Sequence, residues 1–397
     1  MLICGIKVTH DGGVALVEDG HLVFSAEMEK LANRERHARI EDLSVVFDLL
    51  RSHGYDPADL DHLVIDGWRK TDKIKMWGGQ EISLPLAPYR RGILHTDLLK
   101  PYTFTSLDLT YESYPHYAGH VASAYCSSEF AREGADAYIL CWDGAMFPFV
   151  YHYSPDARRL RAVGPPFYML GDVYHTLAQG YPPFDDDVAW PHTLALPGKI
   201  MAYVSLGTPD KTAVQALHTV YQQAVATVLG TGDVPDDAAH ELAGRRILER
   251  MRDRLSAPGA SAEDMLASIH RFLTDIVVDG LVKVIDADGR RTPNLCLVGG
   301  CALNIKWNRA IRDSGIADTV WVPPFPNDAG SAIGAACCAL LTHTTTPYLD
   351  WSVYSGPSLP TTETTPPGWT ASPCTITELA HVLHHTGPTR RLPARKR

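Results

Sequence analysis

Residues 2–26 read Leu-Ile-Cys-Gly-Ile-Lys-Val-Thr-His-Asp-Gly-Gly-Val-Ala-Leu-Val-Glu-Asp-Gly-His-Leu-Val-Phe-Ser-Ala, and this stretch decides the fold class. Its three apolar runs, at 2–8, 13–17 and 21–26, predict three β-strands. Asp19-Gly20 separates the last two runs and is a strong hairpin signal, because these residue types tolerate the positive φ angles of a two-residue turn. The chain is therefore predicted to open with three consecutive strands, and His10 lies in the first loop.

The same order of signals returns in the second half of the chain. An apolar strand at 137–142 ends in Asp143-Gly144, and residues 147–153 are suited to pair with it as a second hairpin. Because α/β units follow both hairpins, the pattern predicts a duplicated α/β fold of the actin, Hsp70 and sugar-kinase type, with a nucleotide and metal cleft between two lobes. The predicted domains are a first lobe at 1–135, a second lobe at 136–345 with a helical insert at about 205–287 and a last helix that packs back, and a linker with a C-terminal stub at 346–397.

Length, charge and composition exclude several classes of protein. A chain of 397 residues is too long for one ordinary core, which favours two lobes. The net charge of −10 argues against a general nucleic-acid binder. No apolar run is long enough to span a bilayer, and the first residues lack the pattern of a signal peptide. The 8 cysteines form no CxxC pair, so we expect reduced thiols in a cytoplasmic enzyme.

His116 and His120 are the most informative chemical feature of the sequence. They are spaced i,i+4, so on a helix both imidazoles project from one face. A single helix can then supply two ligands to a transition metal. Taken alone, this spacing is about as typical of an ordinary helix as of a metal site, since the chain contains 18 histidines.

Two aspartates are predicted to complete the ligand set. Asp143 follows a buried strand, and Asp328 opens the last helix after a proline-rich loop. In the cleft of the predicted fold they would form a His₂Asp₂ site with the two histidines, and this mixture of ligands suits Fe(II), Mn or Zn. The alternatives are that Asp143 is a turn residue and that Asp328 is a helix N-cap.

Glycine-rich loops predict a nucleotide in the same cleft. The loop 9–13, the turn at Gly144 and the Gly299-Gly300 pair occupy the positions of phosphate and nucleoside loops in the predicted fold. Gly299-Gly300 ends a strand and opens a helix, where exposed backbone N–H groups favour an anion. Each loop alone is weak, because most glycine-rich turns are only turns.

Over residues 1 to about 355 the sequence resembles the carbamoyltransferases of the nodulation-factor, tobramycin and cephamycin type. The motifs that carry this resemblance are Gly5-Ile-Lys-Val-Thr-His-Asp11, Ala26-Glu-Met-Glu-Lys-Leu31, Arg34-Glu-Arg-His37, His116-x-x-x-His120, Trp142-Asp-Gly144, Gly198-Lys-Ile-Met201, Gly299-Gly-Cys-Ala-Leu-Asn304 and Pro326-Asn-Asp-Ala-Gly330. The resemblance implies a first domain similar to the tRNA threonylcarbamoyl-transfer proteins, with the metal on the HxxxH helix and two aspartates. It also implies that carbamoyl phosphate and ATP form carbamoyl-adenylate, whose carbamoyl group passes to a hydroxyl of a small natural-product acceptor.

The resemblance gives roles to further residues. It implies that His10 acts as a general base on the acceptor hydroxyl or steadies a phosphate. Lys199 and Arg36 would neutralise phosphate charge, although each is equally typical of a surface cation. Asn304 would contact the ribose or cap the helix that follows it.

Departures from the family pattern carry two further expectations. Pro197, Lys7 and the Met28/Lys30 pair differ from typical family residues and weakly favour the cephem-carbamoylating branch over the nodulation branch. The Gly-Pro-Arg-Ala-Leu-Gly signature of the family's YrdC-like, adenylate-forming domain does not occur in these 397 residues. We therefore expect either a truncated or frame-shifted chain or one half of a split enzyme, and in the last case a separate YrdC-like domain or subunit would supply carbamoyl-adenylate.

Two other functions remain open from the sequence. A His₂Asp₂ metal could activate water in a metallohydrolase, although no distinct base such as the Glu of HExxH accompanies it. A non-catalytic nucleotide-binding subunit of a split carbamoyltransferase is the other alternative. The acceptor pocket is expected at 68–105 and 165–195, where aromatic residues and prolines suit a small organic molecule. A homodimer is compatible with all three functions.

Overall fold

The computed structural model describes residues 1–32, 36–68, 71–76, 79–89, 98–106, 109–186, 188, 192–230, 237–253, 261–289, 293–356, 368, 373 and 375–386. The chain divides into two compact units, Met1–Gly356 and Pro357–Arg397. The first unit contains all the strands and all but one of the helices in the described part of the chain.

The first half of the larger unit is built on a six-stranded sheet. Its strands, together with a separate hairpin, are β1 (Leu2–Lys7), β2 (Gly13–Glu18), β3 (His21–Glu27), β4 (His62–Asp66), β5 (Thr71–Met76), β6 (Gln80–Pro85), β7 (Tyr102–Ser106) and β8 (Leu109–Tyr114). The order in the sheet is β3-β2-β1-β4-β8-β7, and β5 pairs with β6 alone. The opening meander is confirmed, since Asp19 and Gly20 turn with φ of 48° and 81° and β1 pairs antiparallel with β2.

The second half repeats this topology. Its strands are β9 (Ala137–Cys141), β10 (Phe149–Ser154), β11 (Arg159–Gly164), β12 (Asn294–Val298) and β13 (Thr319–Trp321), in the order β11-β10-β9-β12-β13. In each sheet two strands continue a three-stranded antiparallel meander in parallel. They are β4 and β8 beside β1 in the first sheet, and β12 and β13 beside β9 in the second. The duplicated α/β fold of the actin, Hsp70 and sugar-kinase type is thereby confirmed.

Helices lie between and beside these strands. They are α1 (Met28–Ala32), α2 (Ser44–Ser52), α3 (His116–Cys126), α4 (Glu129–Glu133), α5 (Val173–Ala178), α6 (Leu196–Tyr203), α7 (Lys211–Leu229), α8 (Asp237–Arg252), α9 (Ala262–Asp288), α10 (Ile305–Asp313), α11 (Ser331–His343) and α12 (Ile376–Thr386). The expected helical insert corresponds to α7, α8 and α9, which pack on one another. Asp210 and Ser261 cap α7 and α9 through their side-chain oxygens.

Two equivalent helices pack together between the sheets. Helix α3 follows the last parallel strand of the first half, and α11 follows the last strand of the second half. Both helices are rich in small residues and almost wholly buried, and they share one apolar core with residues of both sheets. This packing brings the first residues of α3 close to the turn that precedes α11.

Residues 346–356 differ from the linker that we expected from position 346 onward. Leu349 is fully buried, and its backbone N–H donates to Cys126 O. Asp350 exchanges backbone hydrogen bonds with the β2–β3 hairpin, through Gly20 O and Leu22 N–H. The apolar and hydrogen-bonding groups of this short segment therefore tie it to the first unit, although its Pro- and Thr-rich surroundings look like a linker.

The second unit contains one helix among its described residues. Helix α12 lies within the segment that was expected to be a C-terminal stub, whereas most of the remaining C-terminal tail lies outside the described residues. Among the described helices of both units, none combines the length and apolarity needed to cross a membrane.

Candidate metal and nucleotide site

The structure brings together the four residues predicted to bind a metal. His116 Nε2 lies 3.1 Å from His120 Nε2, and these two atoms lie 3.3 and 3.4 Å from Asp328 Oδ1. Asp143 Oδ2 lies 4.0 Å from both imidazole nitrogens. All four side chains are buried, so the cluster forms an interior site at the start of α3.

Asp66 orients one of the histidines. Its Oδ2 lies 2.7 Å from His116 Nδ1, which leaves His116 Nε2 pointing into the cluster. Although burial alone would lower it, the carboxylates of Asp66 and Asp328 raise the pKa of His116 to about 9. Sequence reasoning missed Asp66, but a signal was present: it ends a strand as Asp66-Gly67, as Asp143-Gly144 follows one in the second half.

Asp328 is held on both of its oxygens. Oδ1 faces the two histidines, whereas Oδ2 lies 3.1 Å from Lys7 Nζ and 3.0 Å from His10 Nε2. Burial opposes the charge, yet Lys7 and His116 hold the pKa of Asp328 well below its ordinary value. His10 therefore reaches the cluster through the outer oxygen of Asp328.

Asp143 is held by two hydrogen bonds, one from each half of the fold. Its Oδ1 accepts the Gly300 N–H at 2.8 Å, and its Oδ2 accepts the Tyr89 hydroxyl at 2.5 Å. Burial and the Asp143 charge raise the pKa of Tyr89 well above its ordinary value, so this hydroxyl remains a donor. Tyr89 was not singled out from the sequence, because only the fold places it beside Asp143.

Aromatic side chains pack against the histidines. The Trp68 ring contacts His10, His116 and Tyr89 edge-on, with centroid separations of 4.8, 5.2 and 4.9 Å. Lys7 Nζ lies 4.7 Å from the centre of the same ring. These rings exclude water, which lowers the local dielectric around the cluster and strengthens the interactions among its charges.

The donor set fits a divalent transition metal. Nitrogen and oxygen ligands at 2.0–2.2 Å from a tetrahedral ion are separated from each other by about 3.3 Å, close to the separations among the two histidines and Asp328. Asp143 Oδ2, which lies 4.0 Å from both imidazole nitrogens, must approach by about 0.7 Å to reach the same separation. Thr9, in the loop before His10, and Ser331, the first residue of α11, each have a buried hydroxyl oxygen with no hydrogen-bond partner among the described residues.

The Gly299-Gly300 loop differs from expectation in one respect. Its N–H groups were expected to be exposed for an anion, but Gly299 N–H donates to Pro326 O and Gly300 N–H donates to Asp143. Gly299 has a φ of 90°, and a Cβ atom there would lie 2.3 Å from Trp142 O. The glycines therefore permit close packing that positions Asp143, which explains their presence without a free N–H group.

Asn304 caps α10, one of its two predicted roles. Its Oδ1 accepts the backbone N–H groups of Lys306 and Trp307, both at 3.2 Å. Its Nδ2 is buried beside the Tyr174 hydroxyl without reaching hydrogen-bond geometry with any described residue. This amide therefore keeps an unsatisfied donor next to the second half of the site.

The other predicted nucleotide residues divide into two groups. Gly144 lies in the Asp143 turn, where its carbonyl accepts the Asp172 N–H at 3.0 Å. Lys199 and Arg36 are exposed, and neither makes a hydrogen bond or ion pair with the cluster among the described residues. Parts of the expected acceptor segments 68–105 and 165–195 lie outside the described residues.

Comparison with known proteins identifies the family. The sequence profile described as carbamoyltransferase N-terminus matches residues 2–89 and 87–337. This chain belongs to the carbamoyltransferase family. The resemblance drawn from the sequence motifs is thereby confirmed, and so is the enzyme class.

This carbamoyltransferase is more similar to nodulation proteins than to the cephem carbamoyltransferases. Nodulation protein U of Rhizobium tropici is 40% identical over 98% of this chain and 69% of its own length. The 3'-hydroxymethylcephem-O-carbamoyltransferase of Amycolatopsis lactamdurans is 26% identical over 96% of this chain and 68% of its own length. The expectation of a cephem-type branch was therefore wrong. The identity to nodulation protein U extends along nearly the whole chain, and it outweighs the four positions on which that expectation rested, Lys7, Met28, Lys30 and Pro197.

More distant similarity extends to two kinds of solved structure. The activator of the 2-hydroxyisocaproyl-CoA dehydratase from Clostridium difficile has 14% identity and a TM-score of 0.40, over 85% of this chain and 93% of that one. Full-length HypF in its phosphate- and nucleotide-bound form has 12% identity and a TM-score of 0.39, over 85% of this chain and 55% of that one.

Proposed function

We propose that this carbamoyltransferase transfers a carbamoyl group from carbamoyl-adenylate to a hydroxyl of a small natural-product acceptor. The observation that carries the proposal is the contact of His10 with the His₂Asp₂ cluster through Asp328, at 3.0 Å. A candidate proton acceptor and a candidate Lewis-acid site thus lie side by side. The names of the cephem relatives, which act on a hydroxymethyl group, support a hydroxylated acceptor.

The proposed cofactor is a divalent metal, most simply Fe(II), with Mn or Zn as the other ions that suit the ligands. His116, His120, Asp143 and Asp328 would hold it. When bound there, the metal supplies Lewis-acid polarisation of a phosphate or carbonyl oxygen. The chain's own residues then have to orient the donor, exclude water and accept a proton.

His10 is the proposed general base. If its Nε2–H donates to Asp328 Oδ2, the imidazole is held in the tautomer whose lone pair lies on Nδ1. That nitrogen accepts the proton of the acceptor hydroxyl as the hydroxyl oxygen bonds to the carbamoyl carbon. The bond from that carbon to the phosphate oxygen breaks, and AMP leaves with the electron pair.

We propose that residues from the second half of the fold recognise the adenylate. The buried Asn304 Nδ2 lacks an acceptor among the described residues, and a ribose or base oxygen would satisfy it. The proposed phosphate position lies near Gly144 in the Asp143 turn, where Asp172 Oδ1 is also 3.0 Å from the place that a Cβ atom would take. Lys199 and Arg36 are exposed, so any contribution from them would be to long-range attraction of the nucleotide.

Metal binding can be tested against a matched pair of histidines elsewhere in the chain. His381 and His385 in α12 have the same i,i+4 spacing and the same 3.1 Å separation between Nε2 atoms, but they are exposed, and no described carboxylate completes a metal cluster with them. Protein purified without oxygen or chelator should lose most of its metal in the variants H116A and H120A and none in H381A/H385A. Unchanged metal content in both H116A and H120A would refute the assignment.

The transfer step can be tested by supplying synthetic carbamoyl-adenylate and a panel of hydroxylated acceptors. Carbamoylated product together with AMP supports the proposal. AMP with free carbamate would instead indicate a metallohydrolase, and binding without turnover would indicate a non-catalytic subunit. His10→Ala should slow transfer about 10²-fold or more while metal content is unchanged. His384→Ala, at an exposed position of α12, serves as the control and should transfer at the wild-type rate.

A further inference from the structure

Lys7 is an unusual residue for its position. Of the lysines and arginines that the structure describes, it is the one that is buried, with no exposed surface. It ends β1, and its Nζ lies 3.3 Å from Asp66 Oδ2 and 3.1 Å from Asp328 Oδ2. Placing a lysine in the interior is costly unless its charge is paired, so its two carboxylate partners are required.

The charges around the cluster balance only when Lys7 is counted. Two aspartate ligands neutralise a divalent ion, and the histidines are neutral when they bind a metal. Asp66 then adds one further negative charge behind His116, at 2.7 Å from Nδ1. Lys7 contacts this same carboxylate and supplies the one positive charge that cancels it.

Lys7 also determines which oxygen of Asp328 faces the cluster. A carboxylate can bind a metal through one oxygen or through both. Here Oδ2 is shared by Lys7 and His10, whereas Oδ1 alone faces the two imidazoles at 3.3 and 3.4 Å. The ammonium group therefore competes directly with a metal for the second oxygen.

We propose that Lys7 is a positioning residue that holds Asp328 as a one-oxygen metal ligand and keeps the site electrically neutral. With a metal bound, Asp328 would contribute one oxygen and would leave room for a substrate oxygen. The neutral site also avoids repelling a phosphate-bearing donor. Lys7 touches neither substrate nor metal, and it acts through Asp328 and Asp66.

This inference rests on the metal site proposed above. Co(II) is a probe that can test the metal site and the role of Lys7 separately. The full chain, stripped of metal and titrated with Co(II) without oxygen, should show visible absorption bands whose intensity falls as the coordination number rises. In Lys7→Met, Asp328 is free to bind through both oxygens, so the bands should weaken by about half or more. Co(II) affinity should rise about tenfold, because a positive charge has been removed from a low-dielectric site. Lys73→Met, which removes an exposed lysine paired with Glu81, should match the wild type in both respects.

A double variant keeps the inference testable if Lys7→Met leaves Asp66 unpaired and does not fold. Lys7→Met with Asp66→Asn removes both charges of the pair. Its Co(II) affinity should fall back toward that of the wild type, whereas its bands should stay weak because Asp328 is still untethered. Wild-type bands in Lys7→Met, or in the double variant, would overturn the role of Lys7 and leave the metal site intact. Wild-type protein that shows no Co(II) bands, or keeps them in H116A, would overturn the metal site and this inference together.

Discussion

Alanine at Gly334 should destabilise the protein, although alanine usually stabilises a helix. Gly334 lies within α11 where this helix crosses α3 at Gly119. A Cβ atom at Gly334 would lie 2.5 Å from Gly119 O and 2.7 Å from Gly119 C. These neighbours are backbone atoms, which cannot rotate away as a side chain can, so the two helices have to separate.

The magnitude follows from two opposing contributions. Replacing glycine by alanine inside a helix contributes about 1 kcal/mol in favour of folding. Overpacking a well-packed core costs about 1–3 kcal/mol, and a clash between two backbones belongs at the upper end of this range. We therefore expect G334A to lower the free energy of unfolding by about 1–2 kcal/mol.

Gly198 provides the matched control. It lies in α6, and a Cβ atom there would meet no heavy atom within 4 Å. Urea unfolding of metal-free protein, followed by circular dichroism, should show G198A to be unchanged or up to about 1 kcal/mol more stable and G334A to be less stable. G334A should also lose metal, because His116 and His120 lie on α3 and Asp328 lies just before α11. A G334A variant as stable as the wild type would refute the reasoning.

Three further predictions concern single side chains around the site. Asn304→Ala should cost about 1 kcal/mol in urea unfolding because the cap of α10 is lost, whereas Asn304→Asp keeps the acceptor and should unfold close to the wild type. Burial and the nearby Lys306 lower the pKa of His270 to about 4. Between pH 6.5 and 4, His270 therefore binds a proton in the unfolded chain but not in the native protein. Native stability should fall by roughly 2–3 kcal/mol over that range, and His270→Gln should reduce this fall when unfolding is compared at pH 7 and 4.5. Tyr89→Phe removes the hydrogen bond to Asp143 and should weaken metal affinity about tenfold in a chelator competition; unchanged affinity would show that the Gly300 N–H alone positions Asp143.

The fold was largely predictable from the sequence because its signals are local. Apolar runs, the Asp19-Gly20 turn and the strand-to-glycine junctions identified the first meander, the β9–β10 hairpin of the second meander and the two central helices. The hairpin of β5 and β6, the paired strands β7 and β8 and the edge strand β11 were not predicted. Strand β5 is mostly polar, and the alternation of Tyr102 and Phe104 with threonines in β7 extends over too few residues to stand out from the sequence. The packing of Leu349 on the first unit was missed for a similar reason, since one buried leucine is too weak a signal.

The ligands of the candidate metal site were predictable, whereas the residues that orient them were not. His116, His120, Asp143 and Asp328 stand at strand and helix ends where their residue types are chemically informative. Asp66, Lys7 and Tyr89 act through contacts across the fold, with sequence separations of 50, 321 and 54 residues from the residues they contact, and no spacing rule reports such contacts. For Lys7 the sequence was misleading, because a lysine at the end of a strand is usually exposed.

The duplicated fold explains why so many carboxylates gather at one point. Helices α3 and α11 are equivalent elements of the two halves, and both begin beside the cluster, α3 with His116 and α11 just after Asp328. The N-terminus of a helix carries partial positive charge, so the two helix ends together disfavour a metal cation and favour an anion. Asp66, Asp143 and Asp328 reverse this preference locally, since each lies within hydrogen-bond or ion-pair distance of a cluster nitrogen. The proposed metal and phosphate would then occupy neighbouring places, because the carboxylates would bind the metal while the helix ends would still favour the phosphate.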